Sequence, residues 1–202
     1  MDDLYERLLE LCERRKSRRT FTGRPVPDGV IEKIVRVAKT SPYASGKNSW
    51  DIVAIKDREA LGKIAEIVRS KARSISESID DDYREGFGQY SSNFTFFENA
   101  PAVFFLSFRL QKSVSLMVKR QEEGSALYSE IVEWERDNLV KSISCAAMLV
   151  LLAAESLGLS ACYMTGPLIA EKEIAEYVKI KKGRSLGAII PIGYYEKQKE
   201  NE

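Results

Sequence analysis

The stretch Ile143–Ala154, reading ISCAAMLVLLAA, constrains the fold more than any other, because as a helix it is apolar on every side except at Ser144. A surface helix keeps one polar face, so a helix without one must be buried all round. The uninterrupted run Cys145–Ala154 is shorter than the ~20 residues a bilayer demands. The expectation is therefore a central core helix and no membrane span, with room for a partner subunit against it. Gly158 stands where a C′ glycine would end the helix. A chain of 202 residues is long enough to bury such an element within one core.

Other elements follow from local pattern. Leu4, Leu8, Leu9 and Leu11 recur near helical spacing, so residues 3–13 read as an amphipathic helix. PDGVIEKIVRVAKTSP reads as a second helix with Asp28 as N-cap, Val30, Ile31, Ile34, Val35 and Ala38 as its apolar face, and Pro42 after its end. WDIVAIKD, AVFFLSF (Ala102–Phe108) and LGAIIPIGYY have the short apolar character of strands. Residues 59–99 suggest surface helices, 110–136 a helical stretch, and 170–179 a small helix, while SACYMTG reads as a short strand or extended loop. The alternation of helices with about four strands, without repeat or linker, predicts one α+β domain over residues 1–202.

Several functional classes are disfavoured. With 31 basic and 30 acidic residues, a net charge of +1 does not provide the field of a protein that coats nucleic acid. There is no histidine, which removes Ser-His and Cys-His nucleophile pairs and most zinc sites. Cys12, Cys145 and Cys162 lie far apart in apolar company without metal-ligand or CxxC spacing, so reduced thiols in a cytoplasm are expected. MDDLYERLLELCERR lacks the basic-then-apolar order of a secretory signal. An enzyme of this composition would draw its chemistry from a bound cofactor rather than from its own nucleophile or a metal.

Against the neutral total, RRKSRRTF (Arg14–Phe21) is conspicuous. Like charges repel unless something anionic sits among them. On an extended backbone Arg15, Ser17 and Arg19 share one side and Lys16 and Arg18 the other. Two guanidinium forks beside a hydroxyl suit a phosphate. The same charges would also fit a solvated stretch complementing the C-terminal dipole of the preceding helix.

Taken with other segments, this one resembles the FMN-dependent nitroreductase family. SPYASGKNSW is similar to the family's loop with Pro42 and Trp50 in frame, although Tyr43 replaces a serine, Gly46 an asparagine and Asn48-Ser49 a Gln-Pro pair. Asn93 precedes the Ala102 strand as a flavin-binding asparagine does, Phe96 stands where some members carry lysine, and AAESLGLSACYMTG resembles the helix and loop that cross the ring. The resemblance implies a central, mostly antiparallel sheet flanked by helices, in an intertwined homodimer with FMN at the subunit interface. It assigns Arg15 to the FMN phosphate, Ser17 to the phosphate or ribityl chain, and Arg19 to the N1–C2=O edge. Asn93 goes to the pyrimidine edge, the Thr165 and Gly166 backbone to N5, and Pro42, Tyr43 and Ala44 to the partner's flavin. Lys197 or Lys199 would be the last basic contact.

The implied activity is ping-pong hydride transfer from NADH or NADPH through FMN to a flat acceptor such as a nitroaromatic or quinone. Residues 110–136, with Tyr128 or Trp134, would cover the acceptor, and no residue would be catalytic in its own right. The absence of G-x-G-x-x-G fits one shared site rather than a separate nicotinamide fold. Two alternatives stay open: the same fold and FMN with dehalogenation, heterocycle oxidation or oxygen chemistry, and a non-enzymatic dimer that binds a nucleotide or phosphate.

Overall fold

The computed structural model describes residues 2–43, 49–109, 113–119 and 122–196. Helices α1 (Asp2–Arg14) and α2 (Asp28–Ala38) lead to strand β1 (Trp50–Ile55). Helices α3 (Arg58–Glu77) and α4 (Asp81–Ser91) follow, then two 3-10 turns, Ser92–Phe94 and Phe96–Asn99, and strand β2 (Ala102–Arg109). The long helix α5 (Ala126–Ser156) precedes β3 (Ser160–Ala161), a 3-10 turn at Gly166–Ala170, α6 (Glu171–Tyr177) and β4 (Arg184–Gly193). The sheet runs β1-β2-β4-β3, and every pairing is antiparallel.

The sheet is covered on both faces. Phe104, Leu106 and Phe108 of β2 join Ile190 and Ile192 of β4 in a core with Ile34 of α2 and Ile143, Ala147 and Val150 of α5. Val103 and Phe105 turn the other way, with Leu186 and Ile189, onto Leu61, Ile64 and Val68 of α3 and Ile174 of α6. Because neighbouring strand residues face opposite sides, a strand sandwiched in this way reads as an unbroken apolar run, as AVFFLSF does. Burying each such side chain contributes about 1.5–3 kcal/mol before entropy is counted.

The β2–β4 ladder slips once. Leu106 pairs with Ala188 but Ser107 with Leu186, leaving Gly187 as the extra residue of a bulge. A Cβ there would lie 2.8 Å from Ile143 Cγ2 and 3.2 Å from Phe108 Cδ1. Gly187→Ala is therefore expected to cost roughly 1–3 kcal/mol through overpacking, read as a lower urea midpoint with an unchanged m-value.

The central helix ends as its glycine suggested. Gly158 has φ +73°, its N–H bonds Glu155 O at 3.0 Å, and the Leu159 N–H reaches back to Ala154 O at 2.9 Å. Its burial differs from expectation. Ile143, Ala146, Ala147, Val150 and Ala154 are buried, whereas Cys145 is exposed and Met148 is 41% exposed. All-round apolarity thus exceeds what the rest of this chain covers. The whole helix, unlike its ten-residue apolar run, is long and apolar enough by length and composition to cross a membrane. In this fold 56% of its apolar window is buried, and a core helix passes the same test.

Other readings also shift. Pro27, not Asp28, occupies the N-cap of α2. Asp28 instead begins the helix, where its carboxylate complements the dipole and receives Lys56 Nζ at 2.7 Å. Among the described residues of 110–136, α-helix begins at Ala126, and residues 113–119 form turns and bends. The cysteines are all free, but only Cys162 is buried; Cys12 and Cys145 are exposed.

Candidate functional site

Three segments distant in sequence, around residues 15–19, 94–96 and 161–166, converge beside β3. Beyond α1 the chain is extended, and Ser17 forms a parallel bridge with Ala161. That pairing places Arg15, Ser17 and Arg19 around Cys162. Burial pushes the Cys162 thiol up, while the Arg19 charge, a hydrogen bond with Ser17 and the Arg15 charge pull it back. The next segment enters through Phe96, whose ring centroid lies 5.9 Å from the Arg19 guanidinium carbon. The same segment meets the loop after β3 through Phe94, packed so closely on Gly166 that a Cβ at 166 would sit 2.5 Å from Phe94 Cε1, with Cδ1 nearer still.

The alternation expected of the arginine segment is present. Opposite to Arg15, Ser17 and Arg19, Arg18 donates from Nη1 to Glu155 Oε2 at 3.0 Å and lies 4.1 Å over the Tyr195 ring. Arg14, the last residue of α1, reaches Glu155 at 3.5 Å and Glu10 at 3.5 Å. Beyond it, the Thr22 N–H bonds Tyr194 O at 2.7 Å and Arg24 lies 4.0 Å over the Tyr194 ring. The segment is thus stitched to the end of β4 on one side. Among the described residues neither Arg15 nor Arg19 has a carboxylate partner.

Asn93 lies exposed in the turn Ser92–Phe94, its Nδ2 donating to Gln89 O at 3.5 Å, one residue before the Phe94 that meets Gly166. Thr165 is exposed and precedes the 3-10 turn opened by Gly166, with Leu168 N bonding Thr165 O at 2.9 Å. The next turn, Phe96–Asn99, is tied to α3 by Arg69, whose fork meets Glu98 at 2.9 and 3.1 Å.

Pro42 and Tyr43 are exposed at the exit of α2, whose buried face belongs to the core on the other side of the sheet from Phe94 and Cys162. They leave on a different layer from the rest of the set. Ala44, Gly46 and Asn48, and likewise Lys197 and Lys199, lie outside the described residues. Tyr128 is half-buried in the first turn of α5, and Trp134 is 54% exposed further along it.

Two carboxylates escaped the sequence reading. Glu155 gave a signal, as a lone acid ending an apolar helix in a chain with five clustered cations. Glu135 gave none. Buried in α5, it accepts at one oxygen from the N–H groups of Ser113, Val114 and Ser115 and from the Ser113 hydroxyl, and at the other from the Ser115 hydroxyl at 2.6 Å. Burial alone would raise its pKa, but these bonds outweigh it and hold the carboxyl at about 2.

Comparison with known proteins agrees with this architecture. An iodotyrosine deiodinase of Hydra vulgaris is 26% identical over 180 residues, 89% of this chain and 62% of that protein. The chain thus spans less than two thirds of that relative's length. A BluB-like flavoprotein of Clostridium difficile 630 superposes with a TM-score of 0.79 at 23% identity, covering 96% of this chain and 93% of that one. A nitroreductase with bound FMN from Desulfitobacterium hafniense DCB-2 superposes with a TM-score of 0.68 at 14% identity, covering 95% and 90%. At such identities the two structures establish a shared fold. The sequence model of the nitroreductase family matches residues 12–194, and the chain belongs to that family.

Proposed function

We propose that the protein binds FMN at the Arg15–Ser17–Arg19 face and acts as a flavin oxidoreductase. The observation that carries this reading is the pair of guanidiniums that share one side of the extended segment, have no carboxylate partner among the described residues, and flank Cys162, with Arg19 beside the Phe96 ring. A phosphate and an electron-rich ring edge are the complement of that arrangement. FMN, when bound, supplies the redox chemistry, taking a hydride from NADH or NADPH and passing it to a flat electron-poor acceptor such as a nitroaromatic or quinone.

The chain's own residues bind and orient. Arg15 and Ser17 hold the phosphate end, Arg19 places a permanent positive charge at the N1–C2=O edge, and Asn93 serves the pyrimidine edge. The Thr165 and Gly166 backbone faces N5, where a residue without Cβ allows close approach. Arg19 acts by field and not by proton transfer, because its guanidinium does not lose its charge at working pH. Arg19→Ala is expected to retain oxidised FMN but to slow reduction by NAD(P)H by about tenfold or more, with a lower flavin potential. Reduction at the parent rate would remove this role.

A homodimer completes the proposal. Leu4 is 78% and Leu8 53% exposed on α1, and Cys145 and Met148 are uncovered on α5. These apolar faces suit a second copy, which would bring its Pro42, Tyr43 and Ala44 to the flavin, while residues 110–136 cover the acceptor. We place the protein in the cytoplasm, where its three free thiols stay reduced.

The test is the visible spectrum of the protein reconstituted with FMN, before and after anaerobic NAD(P)H. Bands that bleach and return with a quinone support the reading; colourless protein overturns it. The deiodinase similarity along 89% of the chain favours reductive dehalogenation as a second reading. Halide release from a halogenated phenol by reduced protein, with no quinone turnover, would select it.

A further inference from the structure

The segment RRKSRRTF presents cations on both of its faces, so composition does not decide which set meets a ligand. A slip of one residue in an extended segment sends every side chain to the opposite side. Here it would turn Lys16 and Arg18 toward Cys162 and Arg15, Ser17 and Arg19 away. Among the described residues, the only strand contact at the segment's centre is the single bridge between Ser17 and Ala161.

Glu155 breaks that symmetry. It is 3% exposed, in the last turn of α5, and takes Arg18 at 3.0 Å and Arg14 at 3.5 Å. Arg18 is further held by the Tyr195 ring at 4.1 Å and by Arg14 O at 3.4 Å. A buried carboxylate deprived of its arginine is strongly unfavourable, so only one register is stable. The same helix end fixes the strand beside it. Gly158 N–H bonds Glu155 O at 3.0 Å, and the turn leads directly into Ser160–Ala161, the strand against which Ser17 pairs.

We propose that Glu155 is a positioning residue of the phosphate site. By capturing Arg18 and Arg14 on the far side, it leaves Arg15 and Ser17 aligned toward the phosphate of FMN and Arg19 toward the ring edge. The inference rests on the reading of that face as the FMN site.

FMN and riboflavin differ only by the phosphate, and titrating each into the full-length apoprotein separates register from general stability. The parent should bind FMN at least ~100-fold more tightly than riboflavin, as charge-assisted phosphate contacts imply. Glu155→Gln should lose about tenfold or more in FMN affinity and less than about threefold in riboflavin affinity. Glu155→Asp, which keeps the carboxylate, should recover most of the loss. An FMN affinity unaltered in Glu155→Gln overturns the inference, and so does an equal loss toward both ligands. Should Glu155→Gln not fold, Glu155→Leu combined with Arg18→Met removes both charges together and must show the same selective loss. A parent that binds the two flavins alike removes the phosphate reading beneath, which is a distinct outcome from failure of Glu155 to matter.

Discussion

Gly166→Ala should cost the protein its flavin while leaving the fold standing. The added Cβ would lie 2.5 Å from Phe94 Cε1 and 3.1 Å from Phe94 Cγ. Carbon atoms do not approach so closely, and a phenyl ring cannot bend out of the way as a lysine tip can. Phe94 is buried and sits edge-on to Tyr90 at 4.9 Å between centroids, so either the ring moves or the 165–170 turn does. The first displacement drags Asn93; the second shifts the Thr165–Gly166 backbone; both belong to the proposed ring site. Pro167 narrows the choices further, because the residue before a proline has fewer allowed conformations.

Overpacking of this kind costs about 1–3 kcal/mol of stability, which a domain of this size survives. FMN affinity should fall about 100-fold or more, since misplacement by an ångström removes several contacts at once. Fluorescence titration reads that loss. Gly166→Ala with Phe94→Ala should regain much of it by reopening the space. An unaltered FMN affinity in the single variant would leave Gly166 a packing residue only.

The largest stability effect should come from Glu135→Leu. The carboxylate gathers three consecutive N–H groups and two hydroxyls, and leucine leaves them without an acceptor. Ser113 and Val114 are exposed, but Ser115 is buried, and each of its two stranded donors costs about 1–3 kcal/mol. A total of ~3 kcal/mol or more is expected, lowering Tm by about 6–12 °C for a chain of this length. Amide exchange should localise the change to the described residues 113–119. Slow exchange there in the variant would contradict the assignment.

Acid should reveal the same group. The Glu135 carboxyl sits at about 2 in the folded protein against an ordinary 4.5. Its unfolded form therefore binds the proton first, and stability rises with pH between those values. The contribution, on the order of 3 kcal/mol, is present above pH ~4.5 and disappears as the pH falls toward ~2. Relative to the parent, Glu135→Leu should lose this part of the acid dependence. The comparison is made by urea denaturation at pH 3, 4 and 6.

Much of this molecule is legible locally. A strand buried on both faces announces itself as AVFFLSF, and the glycine after an apolar helix announces the turn at Gly158. The alternation of Arg15, Ser17 and Arg19 against Arg18 follows from an extended backbone alone. These features depend on residues a few positions apart, and short-range sterics and hydrogen bonding decide them. Even at that range rules compete: at α2 the backbone placed Pro27 as the cap, because proline tolerates a helix entrance, and Asp28 found a stronger partner in Lys56.

The rest was settled by packing. Arg18 meets Glu155 across 137 positions, Gly166 needs to be glycine because Phe94 arrives against it from another element, and Glu135 is buried because the 113–115 turn folds onto it. Which sides of the apolar helix stay uncovered was also beyond local pattern, since Met148 and Ile143 are equally apolar and only the sheet buries one of them. The sequence by itself determined the family, the element types and the face of the segment on which Arg15, Ser17 and Arg19 stand. The tertiary structure alone decided what those faces meet, because a contact between remote residues is a property of how whole elements pack and not of the residues beside them in the chain.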